Sequence, residues 1–375
     1  MPNLDLISLD LIENFRDKDV IAGFAKKIAI LAQSLKEKLV IMEVCGGHTH
    51  TIMRYGLTQL MPENIEFIHG PGCPVCVMPK NRINQAYEIA MQKDTILLSL
   101  GDMIKIPGSY GSLADARARG ASVQFLYSPL QALEIAKNNP QKKVVFFAIG
   151  FETTTPMTAA LVEKALQENI TNLFFHINHV LVPPPLCAIL DSKNSRINAL
   201  IAPSHVSVIS GAKIYKDIVE KYSIPAVVSG FEPVDMMESV YRLVKQKVEG
   251  GSELEIQYKR VVSMSGNLKA QALVEKYFTK RKSFEWRGLG NIADSALKLK
   301  EQYAYIDGEV VFDEILSKDS VADNRACRCG DILRGVAKPF DCKVFAKACT
   351  PSNPLGSCMV SSEGACAAYY KYGTL

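Results

Sequence analysis

The chain has 375 residues, 48% of them hydrophobic and 22% charged, and a formal net charge of +4 at pH 7. Its size predicts two or three domains of a soluble globular protein, and its charges form no dense basic tail that would indicate a nucleic-acid partner. The longest apolar runs fall short of the roughly 20 residues that span a bilayer. The N-terminus lacks the basic and apolar regions of a secretory signal. We therefore expect a cytoplasmic protein that binds neither membranes nor nucleic acid.

Short apolar runs alternate with helix-like segments through most of the chain. The predicted strands, in order, are KLVIMEV, NIEFIHG, TILLSLG, SVQFLYS, KVVFFAIG, NLFFHIN, NALIAPS and PAVVSGF. Helical patterns are clearest in PKNRINQAYEIAMQK, TPMTAALVEKALQEN and PVDMMESVYRLVKQKVE. Strands that are apolar on both faces and separated by helices imply parallel sheets covered on both sides, so we predict an α/β fold.

Two similar segments help to divide the chain. VVFFAIGFETTTP at 144–156 and AVVSGFEPVDMM at 226–237 each predict a strand ending in Gly-Phe-Glu, followed by a proline near a helix start. After about residue 256 the pattern changes to polar helical stretches, a basic run FTKRKSFEWRG and a tail rich in Cys, Gly and Pro. We interpret the basic run as a solvated helix face or loop. The predicted division is an N-terminal helical segment (1–37) packing with the C-terminal domain, α/β domain I (38–140), α/β domain II (141–255) and a C-terminal domain (256–375).

Several polar residues follow predicted strands directly. Because ligands of parallel sheets collect at the carboxyl ends of the strands, Cys45, Asp102, Glu152 and Glu232 are expected in strand-end loops beside a crevice. For the two glutamates, capping of the following helix is an equally good interpretation.

The first cysteine motif is VIMEVCGGHTHTIMRYG, where a strand ends at Cys45 and two glycines precede His48 and His50. The glycines allow a sharp turn that would project the thiol into a crevice. A helix beginning near Thr49 would lower the pKa of the thiol and favour the thiolate, which is the form that attacks or binds a metal. A buried cysteine beside a turn is the alternative.

The second motif is GPGCPVCVMPK, in which Cys73 and Cys76 form a C-x-x-C. This spacing suits a redox disulfide or two ligands of one metal ion. No second pair lies at zinc-finger spacing, so redox use is favoured over structural zinc. We interpret the adjoining His69 as a packed histidine.

The third motif is the tail, where six of the ten cysteines lie between Cys327 and Cys366. An iron–sulfur cluster needs four thiolates at one site, and these residues supply enough. The ferredoxin spacing is absent, so the pattern favours a cluster only modestly over zinc. Cys187 stands alone in PPPLCAIL and is interpreted as an inert thiol.

Together, EVCGGHTH, HGPGCPVCV and MVSSEGACAAYY, with GFETT and EWRGLG between them, closely resemble the motifs of the hydrogenase maturation factor HypD family. The resemblance runs from about residue 38 to the C-terminus. It implies two Rossmann-like parallel-sheet α/β domains plus a smaller iron–sulfur domain. It also implies a scaffold that, with a small HypC-type partner, assembles an iron bearing two cyanides and one carbon monoxide for the large subunit of a [NiFe] hydrogenase. A HypE-type protein would donate cyanide, with HypF upstream.

Carried over by position, the resemblance makes Cys45 the iron ligand and Cys73 with Cys76 the redox pair, with His48 as a further candidate. The implied ligands of one [4Fe-4S] cluster are Cys329, Cys342, Cys349 and Cys366. Cys327 and Cys358 are then surplus. Two other interpretations stay open: a disulfide reductase resembling ferredoxin–thioredoxin reductase, which would not need Cys45, and a structural zinc protein.

Overall fold

The protein is described here from a computed structural model that covers residues 13–373, so the predicted segment 1–37 lies partly outside the described residues. Within this range, parallel pairing unites strands β1 (Leu39–Glu43), β2 (Ile65–His69), β3 (Thr95–Leu100), β4 (Ser122–Leu126), β5 (Lys143–Gly150), β6 (Leu173–His179), β7 (Ala199–Pro203), β8 (Ala226–Ser229) and β9 (Leu254–Ile256). The first sheet has the order β2-β1-β7-β8-β9 and the second has the order β4-β3-β5-β6. The prediction of an α/β fold with two parallel sheets is confirmed, and all eight predicted strands are present.

Helices connect the strands and cover both faces of the sheets. They are α1 (Lys18–Ala32), α2 (Gly46–Arg54), α3 (Pro74–Val77), α4 (Lys80–Ala90), α5 (Leu113–Ala118), α6 (Gln131–Asn138), α7 (Thr155–Gln167), α8 (Pro183–Leu190), α9 (Ser204–Ser210), α10 (Lys216–Tyr222) and α11 (Pro233–Glu249). All five residues of β1 are buried. Leu39 and Ile41 belong to the core beneath α1 and α11, whereas Val40 and Met42 belong to the core on the opposite face. Burial on both faces explains why the strand sequences are almost wholly apolar.

The two sheets are interleaved along the chain. Strands β1 and β2 come before the second sheet and β7 to β9 come after it, so the second sheet is inserted within the first. Strand β3 pairs with β5, for example through Leu97 and Val145, across the boundary expected at residue 140. The observed division therefore differs from domains at 38–140 and 141–255, because the chain leaves the first sheet after β2 and returns only after β6. Local patterns carry no information about which strands pair.

The position of α1 also differs from expectation. The helix packs against α11, where Phe24 lies 5.9 Å from Tyr241 between ring centroids, whereas the sequence suggested contact with the C-terminal domain. An ion pair of 2.6 Å joins Arg16, just before α1, to Glu232 at the start of α11. Apolar residues on both helices complete one buried layer over the first sheet.

The C-terminal segment contains less regular structure. It comprises α12 (Leu268–Tyr277), β10 (Phe278–Lys280), β11 (Ser283–Trp286), β12 (Gly290–Ala293), β13 (Leu297–Leu299), α13 (Gly308–Val311), α14 (Cys329–Leu333) and α15 (Ala365–Tyr372). Two antiparallel ladders, β10 with β13 and β11 with β12, contain the basic run that we expected to be a helix face or loop. That expectation is wrong, because Phe278, Phe284 and Trp286 alternate with polar residues and are buried on one side of these short strands. None of the described helices is both long and apolar enough to cross a bilayer.

Candidate functional site

Cys45 lies two residues after the end of β1, in the strand-end position that was predicted, and immediately precedes the first turn of α2. Its side chain lines a cleft of about 160 Å³ at the carboxyl ends of strands from both sheets. Thr154 follows β5, His205 follows β7, and Glu363 enters the same cleft from the C-terminal segment. The cleft therefore brings together four parts of the chain that are far apart in sequence.

The environment of the Cys45 thiol differs from the one expected. Burial is the main effect and raises the pKa of Cys45 to about 12, with further increases from the carboxylates of Glu363 and Glu43. The backbone amides of Gly47 and His48 lower the pKa, as a helix start should, but their effect is smaller. The prediction of a depressed thiol pKa is wrong, because the sequence could not show that the half-buried thiol is largely desolvated and lies near two acids.

Two glycines allow the close packing around Cys45. A Cβ atom on Gly46 would lie 2.2 Å from the Cβ of Glu363, and one on Gly72 would lie 2.5 Å from the Cα of Cys45. The Gly46 amide also donates to the carbonyl oxygen of Gly72 at 3.3 Å. The C-terminal segment and the loop after β2 therefore lie directly against the turn that carries the thiol.

Glu43, the last residue of β1, holds this turn in place. Its carboxylate is fully buried and accepts hydrogen bonds from the Cys45 amide at 3.0 Å and from the hydroxyl of Thr49. The Nδ1 atom of His69 donates to the same carboxylate at 2.6 Å. His69 is thus the packed, hydrogen-bonded histidine that the sequence suggested.

His48 is not among the residues that line the cleft. Its ring is buried and stacks on Phe231 with 4.8 Å between ring centroids, and its Nε2–H donates to the carbonyl oxygen of Ser229 at 3.1 Å. Burial lowers its pKa, which keeps the ring neutral. These contacts are those of a histidine that supports the loop, while a direct role beside the iron stays a prediction. His50 lies 2.8 Å from the hydroxyl of Tyr372 and so connects α2 to α15.

Cys73 ends the loop after β2, the strand that neighbours β1, and Cys76 lies in the short helix α3 that follows. Both side chains are buried and are not joined to each other or to another cysteine. Ser357 of the C-terminal segment donates its hydroxyl hydrogen to the carbonyl oxygen of Cys76 at 2.6 Å, and its Oγ lies 3.9 Å from the sulfur of Cys329. The C-x-x-C therefore packs against the cysteine-rich tail.

The six tail cysteines all line one apolar cavity, together with Ile332, Phe345, Gly356 and Met359. Two of them, Cys329 and Cys358, form a disulfide. The other four, Cys327, Cys342, Cys349 and Cys366, are free. Cys329 was expected to be a cluster ligand and Cys327 to be surplus. In this structure Cys329 is joined to Cys358 and is not available as a thiolate ligand, whereas Cys327 is free; which cysteines would bind a cluster stays a prediction.

The four free sulfurs fit an iron–sulfur cluster in number and in type. The pKa of Cys366 is raised by burial and by the nearby sulfurs of Cys327, Cys349 and Cys342, so the four groups share one site. The amide of Leu355 also donates to the sulfur of Cys349 at 3.4 Å. Within residues 13–373, no three metal-binding side chains are already arranged as a metal site.

Three acidic or basic residues beside Cys45 were missed or only partly recognised from the sequence. Glu363 lies within the motif MVSSEGACAAYY, and His205 follows the predicted strand NALIAPS directly. Glu43 lies near the end of the predicted strand KLVIMEV. A polar residue at or just after a predicted strand end was the available signal for Glu43 and His205, whereas nothing local indicated that Glu363 would reach the cleft.

Comparison with known proteins gives a consistent answer. A family model named HypD, described as the hydrogenase formation hypA family, matches residues 19–373. The chain is 50% identical over 368 residues to the hydrogenase maturation factor HypD2 of Bradyrhizobium diazoefficiens and 48% identical over 368 residues to HypD of Azotobacter vinelandii, in each case across 96% of both chains. It is 44% identical to HypD of Escherichia coli over 364 residues, 97% of this chain and 95% of that one. The chain therefore belongs to the HypD family of hydrogenase maturation factors.

Proposed function

We propose that this protein is the scaffold on which an iron bearing two cyanides and one carbon monoxide is assembled for a [NiFe] hydrogenase. The iron is its cargo, held by Cys45 in the cleft between the two sheets. A HypC-type protein would share the cargo, a HypE-type protein would deliver cyanide, with HypF upstream, and the hydrogenase large subunit would receive the product. Membership of the family supports the general role, and the partners follow from the family resemblance.

The observation that carries this proposal is the position of Cys45. Its thiol lies at the carboxyl ends of parallel strands, where ligands of such sheets usually bind, in a cleft that also contains His205 and Glu363. A thiolate is a soft, electron-rich donor that suits low-spin iron with cyanide and carbon monoxide ligands. Binding must release the thiol proton, and the iron's positive charge would favour the thiolate that burial alone disfavours.

The neighbouring cysteines support a redox role alongside the scaffold role. Cys73 and Cys76 are free, whereas Cys329 and Cys358 are joined, and Ser357 contacts both pairs. Thiol–disulfide exchange would oxidise the first pair and reduce the second, conserving two electrons and two protons. When bound by the four free tail cysteines, a [4Fe-4S] cluster would supply or accept single electrons beside them.

Infrared spectroscopy of Cys45→Ala tests the scaffold proposal. In protein co-produced with its maturation partners and purified without oxygen, we expect cyanide and carbon monoxide bands in the wild type and none in Cys45→Ala, because the iron loses its thiolate. Cys187→Ala is the matched control, since Cys187 lies outside the cleft, and it should keep both bands. Bands of normal intensity in Cys45→Ala would show that this thiol is not the ligand.

A pair of substitutions tests the revised ligand set. We expect Cys327→Ser to lose the brown absorption and the bound iron and sulfide of a cluster, and Cys329→Ser to keep them, because Cys329 forms the disulfide with Cys358. Visible absorption and iron analysis of anaerobic preparations provide the measurement. The opposite result would restore Cys329 as the ligand and place Cys327 outside the cluster. Zinc in place of iron would support the structural zinc interpretation instead.

The disulfide reductase interpretation makes a different prediction. A reductase acting through Cys73 and Cys76 would reduce a protein disulfide at an undiminished rate in Cys45→Ala. The scaffold proposal instead predicts that hydrogenase maturation is lost in Cys45→Ala, which a maturation assay in cells lacking the native protein measures.

A further inference from the structure

A chain of buried contacts leads from Cys45 to the C-terminal helix. The Cys45 amide donates to Glu43, and the opposite side of that carboxylate accepts from His69. The Nε2 atom of His69 lies 3.3 Å from the hydroxyl of Tyr369 on α15, and the two rings meet edge to face at 5.4 Å. The exposed fractions are 0% for Glu43, 6% for His69 and 8% for Tyr369, so water competes little with these contacts.

The far end of this chain belongs to the cysteine-rich tail. Tyr369 lies one helical turn after Cys366, one of the four free tail cysteines. Helix α15 also packs against α2, where Tyr372 contacts His50. A change in the position of α15 would therefore reach His69 and Glu43 through contacts that are already formed.

A buried carboxylate has few ways to respond to such a change. Glu43 is surrounded by donors that it must keep, since an unpaired carboxylate in this setting is strongly unfavourable. If His69 shifts together with Tyr369, the Glu43 carboxylate must shift to keep its hydrogen bond with His69. The Cys45 amide, which donates to the same carboxylate, must then shift as well. Apolar packing would couple these movements less tightly, because a hydrogen bond constrains both the distance and the angle between its two groups.

We propose that Glu43, His69 and Tyr369 are positioning residues that couple the placement of the C-terminal helix to the placement of Cys45. The coupling links the tail cysteines to the turn that carries the thiol. Its importance for iron rests on the proposed function, but the coupling itself is a property of the chain alone.

Alkylation of Cys45 in the full-length chain tests this coupling without iron. Iodoacetamide is added to purified, reduced protein, and mass spectrometry follows modification at Cys45 relative to Cys187, a half-buried thiol outside the cleft. Tyr369→Phe removes only the hydroxyl that faces His69. We expect the relative rate at Cys45 to rise about two- to tenfold, the factor that corresponds to one lost hydrogen bond.

The matched control is Tyr370→Phe, on the same helix. Tyr370 is 38% exposed and its ring packs edge-on against Phe345, so its hydroxyl takes no part in the chain of contacts. This variant should alkylate like the wild type. Equal rates in Tyr369→Phe and Tyr370→Phe would overturn the proposal.

A double substitution separates coupling from a general loss of stability. Glu43→Gln should raise the rate at Cys45, and adding Tyr369→Phe should have no further effect, because both act through the same chain. If the rate increase in the double variant equalled the product of the two single increases, the proposal would be contradicted.

The pH dependence of alkylation gives a further check. In Tyr369→Phe the pH midpoint of the Cys45 alkylation rate should stay constant while the plateau rate at high pH rises, because no charge is removed. A shifted midpoint with an unchanged plateau would also contradict the proposal.

Hydrogen–deuterium exchange gives a second measurement that does not depend on thiol chemistry. The peptide containing the Cys45 amide should exchange faster in Tyr369→Phe than in Tyr370→Phe, and equal exchange would count against the coupling. Because neither readout needs iron, both can succeed if the infrared bands never appear. Conversely, the bands can appear in the wild type while Tyr369→Phe has no effect, so the two proposals fail separately.

Discussion

Glu43 and Glu152 are two enclosed carboxyl groups near the same cleft, and they differ in the hydrogen bonds available to them. Glu43 accepts three, from an amide, a hydroxyl and an imidazole. Glu152 accepts one from the amide of Val182, and its Oε2 atom is buried with no hydrogen-bond partner in the described residues. Burial accordingly raises the pKa of Glu152 to about 7, although the hydrogen bond from the Val182 amide lowers it.

This difference predicts a pH-dependent effect of Glu152→Gln. The unfolded chain releases the Glu152 proton near pH 4, whereas the folded chain keeps it until about pH 7. The contribution of Glu152 to the free energy of unfolding is therefore fully present below pH 4 and is lost as the pH rises through 7. We expect Glu152→Gln to match the wild type at pH 4 and to be more stable by about 3 kcal/mol at pH 8. Urea unfolding at both pH values measures this.

The control for that experiment is Glu168→Gln. Glu168 is an exposed residue that pairs with Lys137 on the surface, so its substitution should change stability little at either pH. If Glu152→Gln showed the same small change at pH 8, the carboxyl group would be better solvated than its position indicates.

At the level of elements, α11 shows how closely the local sequence specifies a helix. Glu232 and Asp235 form a reciprocal capping arrangement at its start, followed by Pro233 in the first turn. Gly250 ends the helix with φ of 77°, a left-handed conformation that glycine adopts without strain. The sequence predicted this helix, and of the two interpretations that it left open for Glu232, capping is the one that agrees with this arrangement. Glu152, at the equivalent position before α7, is not a cap, because its side chain turns instead toward the loop after β6.

Two Gly→Ala substitutions on the packed pair α1 and α11 should have opposite effects. Both sites have room for a methyl group, since no atom lies within 4 Å of a Cβ placed on Gly250 or on Gly23. Gly250→Ala should destabilise the protein by about 1 kcal/mol, because alanine disfavours positive φ. Gly23→Ala, inside α1, should stabilise it by roughly 0.5–1 kcal/mol. Thermal unfolding of both variants measures the difference, and a change of the same sign in both would contradict the explanation.

At the scale of the whole molecule, the C-terminal segment closes the site made by the two sheets. Glu363 lines the cleft and Ser357 bonds to Cys76, while four free cysteines lie in the tail itself. Residues 317–328, which lie within this segment just before α14, contain no helix or strand and are mostly exposed. A loop-rich unit of this kind gains folding free energy when its thiolates bind metal.

Removal of the proposed cluster should therefore loosen the tail before the sheets. We expect a chelated, iron-free preparation to be cleaved by trypsin after the exposed Arg325 several times faster than an iron-loaded one. Cleavage after Lys193, in the loop between α8 and β7, provides the internal control and should not change. Mass spectrometry of the fragments measures both sites. Equal acceleration at Lys193 would indicate global unfolding, and no change at Arg325 would argue against metal-dependent stability of the tail.

The sequence by itself determined the local features of this protein. The eight main strands, the long helices between them and the placement of Cys45, Cys73 and Cys76 at strand ends all follow from periodicity, glycine and proline, which act over a few residues. The motifs around these cysteines also carried the family resemblance, which the comparisons confirm.

Only the tertiary structure decided what depends on contacts between distant residues. The insertion of the second sheet within the first, the pairing of Cys329 with Cys358, and the contact between His69 and Tyr369 across 300 positions are absent from any local pattern. The raised pKa of Cys45 belongs to the same group, because burial and the nearby Glu363 set it. Pairing and burial are properties of the folded chain as a whole, so a single sequence read segment by segment does not contain them.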